Sequence, residues 1–392
     1  MKQLCRITPL VIGLFVVMGV TAWAEGPDYE AIAENLVNQS LAVQPGEIVV
    51  ISGNPSEVEL MGVLQVAVAK AGGQSMLALN IPEANKRSVM ETPIEHLEQL
   101  PTAGLLLNKM ADVFINVGSV QDPDLFADVP EERLSAGRKA GLPLTRAFNN
   151  MRSRSATLGQ TGGIPTETYA ASVGASHKEV SAIFWQAVSV SPAELASNAK
   201  KLTAMMTNGA VVRMTSDVGT DLTFQVDQLP ARINAARTAD VKVATGPSNV
   251  WLPAGEAYAC VKKGSASGTL VVPWTSFRGV PVKNLKLTFA NGRVSKLSAA
   301  SDVEILEQYF AASSPELGDL SLFDLGLNPH SRTPTGSHYY SWEMDGMVTL
   351  GLGNNGWAGG DNESDAALSL HVPGSTLRIG DKTVVKNGKL GM

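Results

Sequence analysis

Cysteine is nearly absent from this chain, with two residues, Cys5 and Cys260, among 392. Histidine is almost as scarce at five, and aromatic residues make up only 6%. A basic excess is missing as well, since 31 Lys and Arg face 37 Asp and Glu, which argues against a groove for nucleic acid. Beyond Trp23 no apolar run is long enough to cross a bilayer. Repeats and low-complexity tracts are absent too.

What is there begins with a leader. Lys2 and Arg6 precede an apolar run from Ile7 to Trp23, and Ala22-Trp23-Ala24 supplies the small-x-small pattern of a cleavage site. Residues 1–24 are therefore expected to be a signal peptide, the run being broken by Pro9, Gly13 and Gly19 in a way that does not suit a retained anchor. A periplasmic or secreted protein with no membrane span after cleavage follows. Removing those 24 residues leaves 368, and the loss of Lys2 and Arg6 moves the formal charge from −6 to −8. Cys260 is then the only thiol, so no internal disulfide can form and stability must rest on core burial. In its apolar setting beside Tyr258 and Val261, Cys260 reads as packing.

The segment from Asp28 to Val43 puts Ile32, Leu36 and Val37 on one helical stripe, and Pro45-Gly46 leads into the apolar run Ile48 to Ile51. A second helix is expected from Glu57 to Ala71, followed by Met76, Leu77 and Leu79, and then by a third apolar run, Val113 to Val117. Helices alternating with short apolar strands imply a mostly parallel sheet covered on both faces. Ser176-x-x-Glu179 and Ser191-Pro192-Ala193-Glu194 read as capped helix starts. After Gly209 the pattern alternates, as in Val212, Met214, Leu222, Phe224 and Val226, and Asn291-Gly292 is a preferred hairpin turn. The expected organisation is an α/β N-terminal domain over residues 25–208 and a β-rich α+β C-terminal domain over 209–392.

Gly351-Leu352-Gly353-Asn354-Asn355-Gly356 matches a dinucleotide fingerprint letter for letter, but the following Trp357-Ala358-Gly359-Gly360-Asp361 cannot open a helix, so it reads as a loop. A hydrolytic metal centre needs several converging His or carboxylate ligands. The one close histidine pair, His330 and His338, sits in a polar loop and reads as solvated surface.

Four stretches, in this order and spacing, carry a family resemblance: Gly219-Thr220-Asp221-Leu222-Thr223-Phe224; Leu252-Pro253-Ala254-Gly255-Glu256-Ala257-Tyr258; Leu325-Gly326-Leu327-Asn328-Pro329; and the end, from Gly346 through Gly359-Gly360-Asp361-Asn362 to Lys386-Asn387-Gly388-Lys389. Together they resemble the thermophilic aminopeptidase family, also called the aminopeptidase T or leucyl aminopeptidase family. The resemblance implies a homodimeric metallopeptidase that releases N-terminal amino acids from peptides. It also implies two divalent metals, zinc or cobalt, held by two glutamates, two histidines and an aspartate near a tyrosine.

Position by position, Glu256 matches the first ligand glutamate of that family. The second glutamate falls on Leu322, with Asp319 and Asp324 on either side as substitutes through a local shift. The first histidine falls on Thr349, the tyrosine on Gly356 beside Trp357, and the closing His-x-Asp on Ala367-Leu368-Ser369, with His371 two positions beyond and on the same strand face. The reading is an exported member of the family whose metal site is largely lost, keeping its cleft for a peptide or another small molecule. The alternative is an active, divergent metal-dependent aminopeptidase using Glu256 with Asp319, Asp324 or His371; a third is a structural dimer module. If the metal is lost, Glu256 is expected to lie open to solvent or to be held by hydroxyls and amides, with Thr349 and Ser369 as neighbours.

Overall fold

The computed structural model describes residues 27–241 and 246–391, so the signal peptide expected at 1–24 lies outside the described residues. In chain order the strands are β1 (Ile48–Gly53), β2 (Gln74–Leu79), β3 (Val113–Val117), β4 (Arg154–Leu158), β5 (Val211–Thr215), β6 (Asp221–Gln225), β7 (Arg232–Asn234), β8 (Ser248–Leu252) and β9 (Glu256–Cys260). They continue with β10 (Ser267–Phe277), β11 (Val280–Ala290), β12 (Arg293–Ser298), β13 (Leu320–Gly326), β14 (Val348–Gly353), β15 (Ala367–Val372), β16 (Thr376–Ile379), β17 (Lys382–Lys386) and β18 (Lys389–Leu390).

The first sheet is parallel, in the order β2-β1-β3-β4-β8. The other two are antiparallel: eight strands ordered β12-β11-β10-β6-β5-β16-β17-β18, and five ordered β15-β14-β13-β9-β7. An α/β N-terminal part therefore precedes a β-rich C-terminal part. The chain crosses position 208 once in the other direction, because β8 comes from the second half yet completes the parallel sheet.

Helix Val58–Lys70 buries Leu60, Met61, Leu64 and Val68, the stripe expected from their spacing. The first helix is shorter than its stripe, running Tyr29–Asn35 before widening into a π-turn at Leu36–Ser40 that still buries Leu36 and Val37. Met76, Leu77 and Leu79 correct the expectation of a sheet covered on both faces. They lie on β2, the edge strand, and remain exposed. Ser176 Oγ accepts from the amide of Glu179 at 3.3 Å, whereas Ser191 makes no such bond and Pro192 alone sets its helix start.

The two antiparallel sheets pack face to face, with Phe224 edge-on to Phe323 at 5.3 Å between ring centres and Leu325, Leu350 and Leu370 in the same core. Helix Pro192–Thr203 lies across β7 and β9 and buries Leu195, Ala199 and Leu202. The five-stranded sheet is thus wedged between an apolar layer and the carboxyl ends of the parallel strands.

Candidate functional site

The junction between sheets is the Pro253-Ala254-Gly255-Glu256 turn, which takes the chain from β8 of the parallel sheet into β9 of the antiparallel one. Gly255 has φ of +128°, and a Cβ there would meet the backbone nitrogen of Asn328 at 2.9 Å. Asn328 fastens the turn from the other side, its Nδ2 donating to the carbonyls of Ala254 at 2.6 Å and Ala187 at 2.9 Å. Gly326, at the end of β13, is required by the loop that crosses it, since a Cβ would overlap the carbonyl oxygens of Trp342 and Met344. The two short motifs of the sequence are therefore one structural lock. It delivers Glu256 and the Trp342-Glu343 loop to the same place.

Register then lines up a row of side chains. Asp324 on β13 pairs with Tyr258 on β9 and with Thr349 on β14, which in turn pairs with His371 on β15. Glu256 stands two residues from Tyr258 and so on the same face, opposite Asn234 of β7. A cavity of about 430 Å³ opens before this face, lined by Gln160, Trp251, Glu256, Tyr258, Asp324, Trp342, Trp357 and Ser369 together with residues following β4. Such a volume suits a small ligand.

Glu256 is buried, and both its oxygens are occupied. Gln160 Nε2 donates to Oε1 at 2.7 Å and Asn234 Nδ2 to Oε2 at 2.9 Å. Of the two alternatives expected for Glu256, burial excludes the open one, and it is held by amides, those of Gln160 and Asn234 rather than hydroxyls of Thr349 and Ser369. Thr349 instead faces His371, with its Oγ1 2.8 Å from Nδ1, while Thr161 Oγ1 lies 3.2 Å from Nε2. Both imidazole nitrogens are engaged by hydroxyls. Asp319 is drawn elsewhere, into a two-point ion pair with Arg293 at 2.7 and 3.1 Å. Asp324 is buried in the row itself, and among the described residues its Oδ1 has no hydrogen-bond partner.

A third acid, Glu343, is fully buried in the loop before β14, accepting from Ser331 Oγ at 2.7 Å and Ser341 Oγ at 2.5 Å. Burial pushes Glu256 up to about 8, and the charge of Glu343 adds to the shift against the two amide donors. Burial, then Glu256 and Glu343, holds Asp324 far above the usual carboxylate range. Glu343 is also raised, by burial against its two serine donors. Burial lowers His371 to about 4, keeping it neutral. Cys260 is no nucleophile: burial pushes its thiol up to about 12.

Zinc and similar ions need converging, deprotonated ligands with free lone pairs. Leu322, Thr349 and Ser369 offer no imidazole or carboxylate, and both nitrogens of His371 are engaged by hydroxyls. Among the described residues no three His, Cys, Asp or Glu side chains are grouped to hold a metal. This donor set does not fit a two-metal centre. Gln160, Asn234, Glu343, Trp251 and Trp342 were not singled out by the sequence; of these, only Trp251 lies close enough to a motif, one residue ahead of Leu252, to have been flagged.

Comparison with known proteins follows this geometry. A family model described as thermophilic metalloprotease (M29) matches residues 27–335. No curated protein matches the chain significantly. Among solved structures, wild-type AmpT from Thermus thermophilus is similar with a TM-score of 0.71 at 15% identity, over 93% of this chain and 99% of that one. The 2,5-dihydroxypyridine dioxygenase from Pseudomonas putida KT2440 is similar with a TM-score of 0.59 at 15% identity, over 93% and 96%.

Proposed function

Because the chain belongs to the thermophilic metalloprotease family M29, a family that implies a divalent metal, yet carries a donor set that does not fit one, we propose that it is a member whose cleft binds a peptide or another small ligand without hydrolysing it. The observation that carries this reading is the neighbourhood of Glu256, the one residue matching a family ligand: amides of Gln160 and Asn234 hold it, and Leu322, Thr349 and Ser369 stand where further ligands would be needed. A metal could share the remaining lone pairs of Glu256 but would find no imidazole or carboxylate at Leu322, Thr349 and Ser369. The test is hydrolysis of amino-acid anilides together with metal content of the purified protein. Background rates and less than one tightly held metal per chain are expected. Turnover that EDTA abolishes and Zn²⁺ or Co²⁺ restores would overturn the reading in favour of an active, divergent aminopeptidase, for which the unpartnered Asp324 beside Glu256 is the supporting feature.

Two further parts of the proposal concern setting. Export to the periplasm or medium is supported by the charged start, apolar run and Ala22-x-Ala24, and mass spectrometry of protein from its native compartment should find Glu25 first; an intact Met1 would reject it. A homodimer is supported by the open edge of β2, where Met76, Leu77 and Leu79 are 40%, 42% and 56% exposed. Light scattering should give twice the chain mass, and a monomer across the micromolar range would refute this.

A further inference from the structure

The cavity walls combine aromatic rings with buried acids. Trp251 and Trp357 meet at 5.1 Å and 80°, and Tyr258 leans on Trp357 at 5.5 Å and 42°, so the three rings form a corner rather than a stack. Trp342 adds a fourth ring, set edge-on to His371 at 5.7 Å. Into the same space come Glu256 and Asp324, and among the described residues lining it there is no Lys, Arg or His. Arg232 is turned away, its Nη1 donating to the carbonyl of Trp357 at 3.1 Å.

Asp324 Oδ1 is the group that asks for a partner. It is buried, its residue belongs to the cavity wall, and nothing among the described residues donates to it. A buried acceptor left in this state is costly. A ligand group suited to this oxygen carries N–H donors and positive charge, and an aromatic ring attracts such a charge over its π face at distances up to about 6 Å. A metal ion needs three or more converging donors; an organic ammonium needs one acceptor and an apolar, aromatic enclosure. Only the second requirement is met.

We propose that this cavity binds a small organic amine, its ammonium group donating to Asp324 Oδ1 and its apolar body lying against Trp251, Trp342 and Trp357. The inference rests on the reading that the cleft takes a small ligand, and it adds the chemical class. A protonated primary amine with a short aromatic or aliphatic body fits the volume, and because burial keeps Asp324 protonated in the free protein, the ammonium takes the place of that proton, which leaves to solvent as the amine binds.

The test is calorimetric titration of the full chain at neutral pH, in EDTA, with three probes: 2-phenylethylammonium, its neutral isostere 2-phenylethanol, and N-acetyl-leucinamide. The amine should bind at least tenfold more tightly than the alcohol. In Asp324→Asn that advantage should shrink at least tenfold, with the alcohol unchanged. Equal binding of amine and alcohol by the wild type would overturn the proposal without any variant being needed. Undiminished amine binding by a folded Asp324→Asn protein would do the same, as would amine binding that appears only when EDTA is left out. If N-acetyl-leucinamide binds while the amine does not, the ammonium assignment fails and the ligand-binding cleft stands; if none of the three binds, both fall.

Discussion

On one face of the five-stranded sheet, Phe323, Leu325, Leu350 and Leu370 press into the eight-stranded sheet and are almost fully removed from water. On the other face the residues between them, Asp324, Thr349 and Glu256, are nearly as well buried. Position alone does not separate the two faces. The first is sealed by like against like, each methylene contributing about 0.8 kcal/mol when buried. The second is sealed by polar pairing, Gln160 and Asn234 on Glu256 and Thr349 on His371, and it leaves one acid oxygen without a partner. An apolar face stabilises the fold whatever its history; a polar one persists where it is used or where its groups satisfy each other.

The largest way to sharpen this contrast is on the apolar side. Phe323→Ala removes a fully buried ring that meets Phe224, in a core that cannot close around the gap. A loss of about 3–5 kcal/mol is expected in denaturant unfolding. A cost below about 1 kcal/mol would mean that the two sheets are not packed against each other here.

The opposite sign is expected one residue further on. Asp324→Leu replaces a buried carboxyl that lacks a partner by a side chain suited to Tyr258, Leu322 and Trp342, which already form a small apolar cluster. The protein should gain about 1–3 kcal/mol, the cost of an unsatisfied buried polar group. A destabilised variant would show that Asp324 is satisfied in the folded protein and would erase the difference between the faces.

Much of this architecture was legible from the sequence, and the parts that were not share a cause. Apolar spacing located the helix at Val58–Lys70 and the strands β1 and β3, because burial on one stripe or on both faces leaves a periodic trace. The same trace misjudged β2, since an apolar run reads alike whether its strand is central or at an open edge. Glu256 was found through its local motif. Its real neighbours were not, because Gln160 and Asn234 lie 96 and 22 residues away and meet it only through register and a crossover between sheets. Glu343 was hidden for the same reason: its loop is held over Gly326 by contacts that no spacing encodes. His371 was named from strand alternation, which gave the correct face; Asp319 and Asp324 were both named by proximity to Leu322, and of the two Arg293 claims Asp319 while Asp324 lies in the row.

The smallest expected effect is the most specific to the polar face, the response to pH. Glu256 titrates at about 8 when folded against an ordinary 4.5, so between these values the folded state holds the extra proton. Unfolding then releases it, and stability falls as pH rises from about 4.5 through about 8 and levels off above. Asp324 and Glu343 are shifted the same way and add to the slope. His371 works from the other end: folded it titrates at about 4 against an ordinary 6.5, so stability also falls as pH drops from about 6.5 through about 4. Glu256→Gln should leave stability at pH 5 within about 1–2 kcal/mol of the parent, the ordinary range for a point change. One amide oxygen replaces one acceptor, and the cost comes from the other position, where the new NH2 meets a donor that is also tied to the carbonyl of Pro253 or Trp251. The informative quantity is the slope. Thermal unfolding from pH 5 to 9 should decline less steeply in Glu256→Gln than in the parent, with the acid side unchanged because His371 is untouched. Identical slopes would mean that Glu256 is charged in the folded protein, and the contrast between the two faces would then have to be rebuilt around a cation that compensates it.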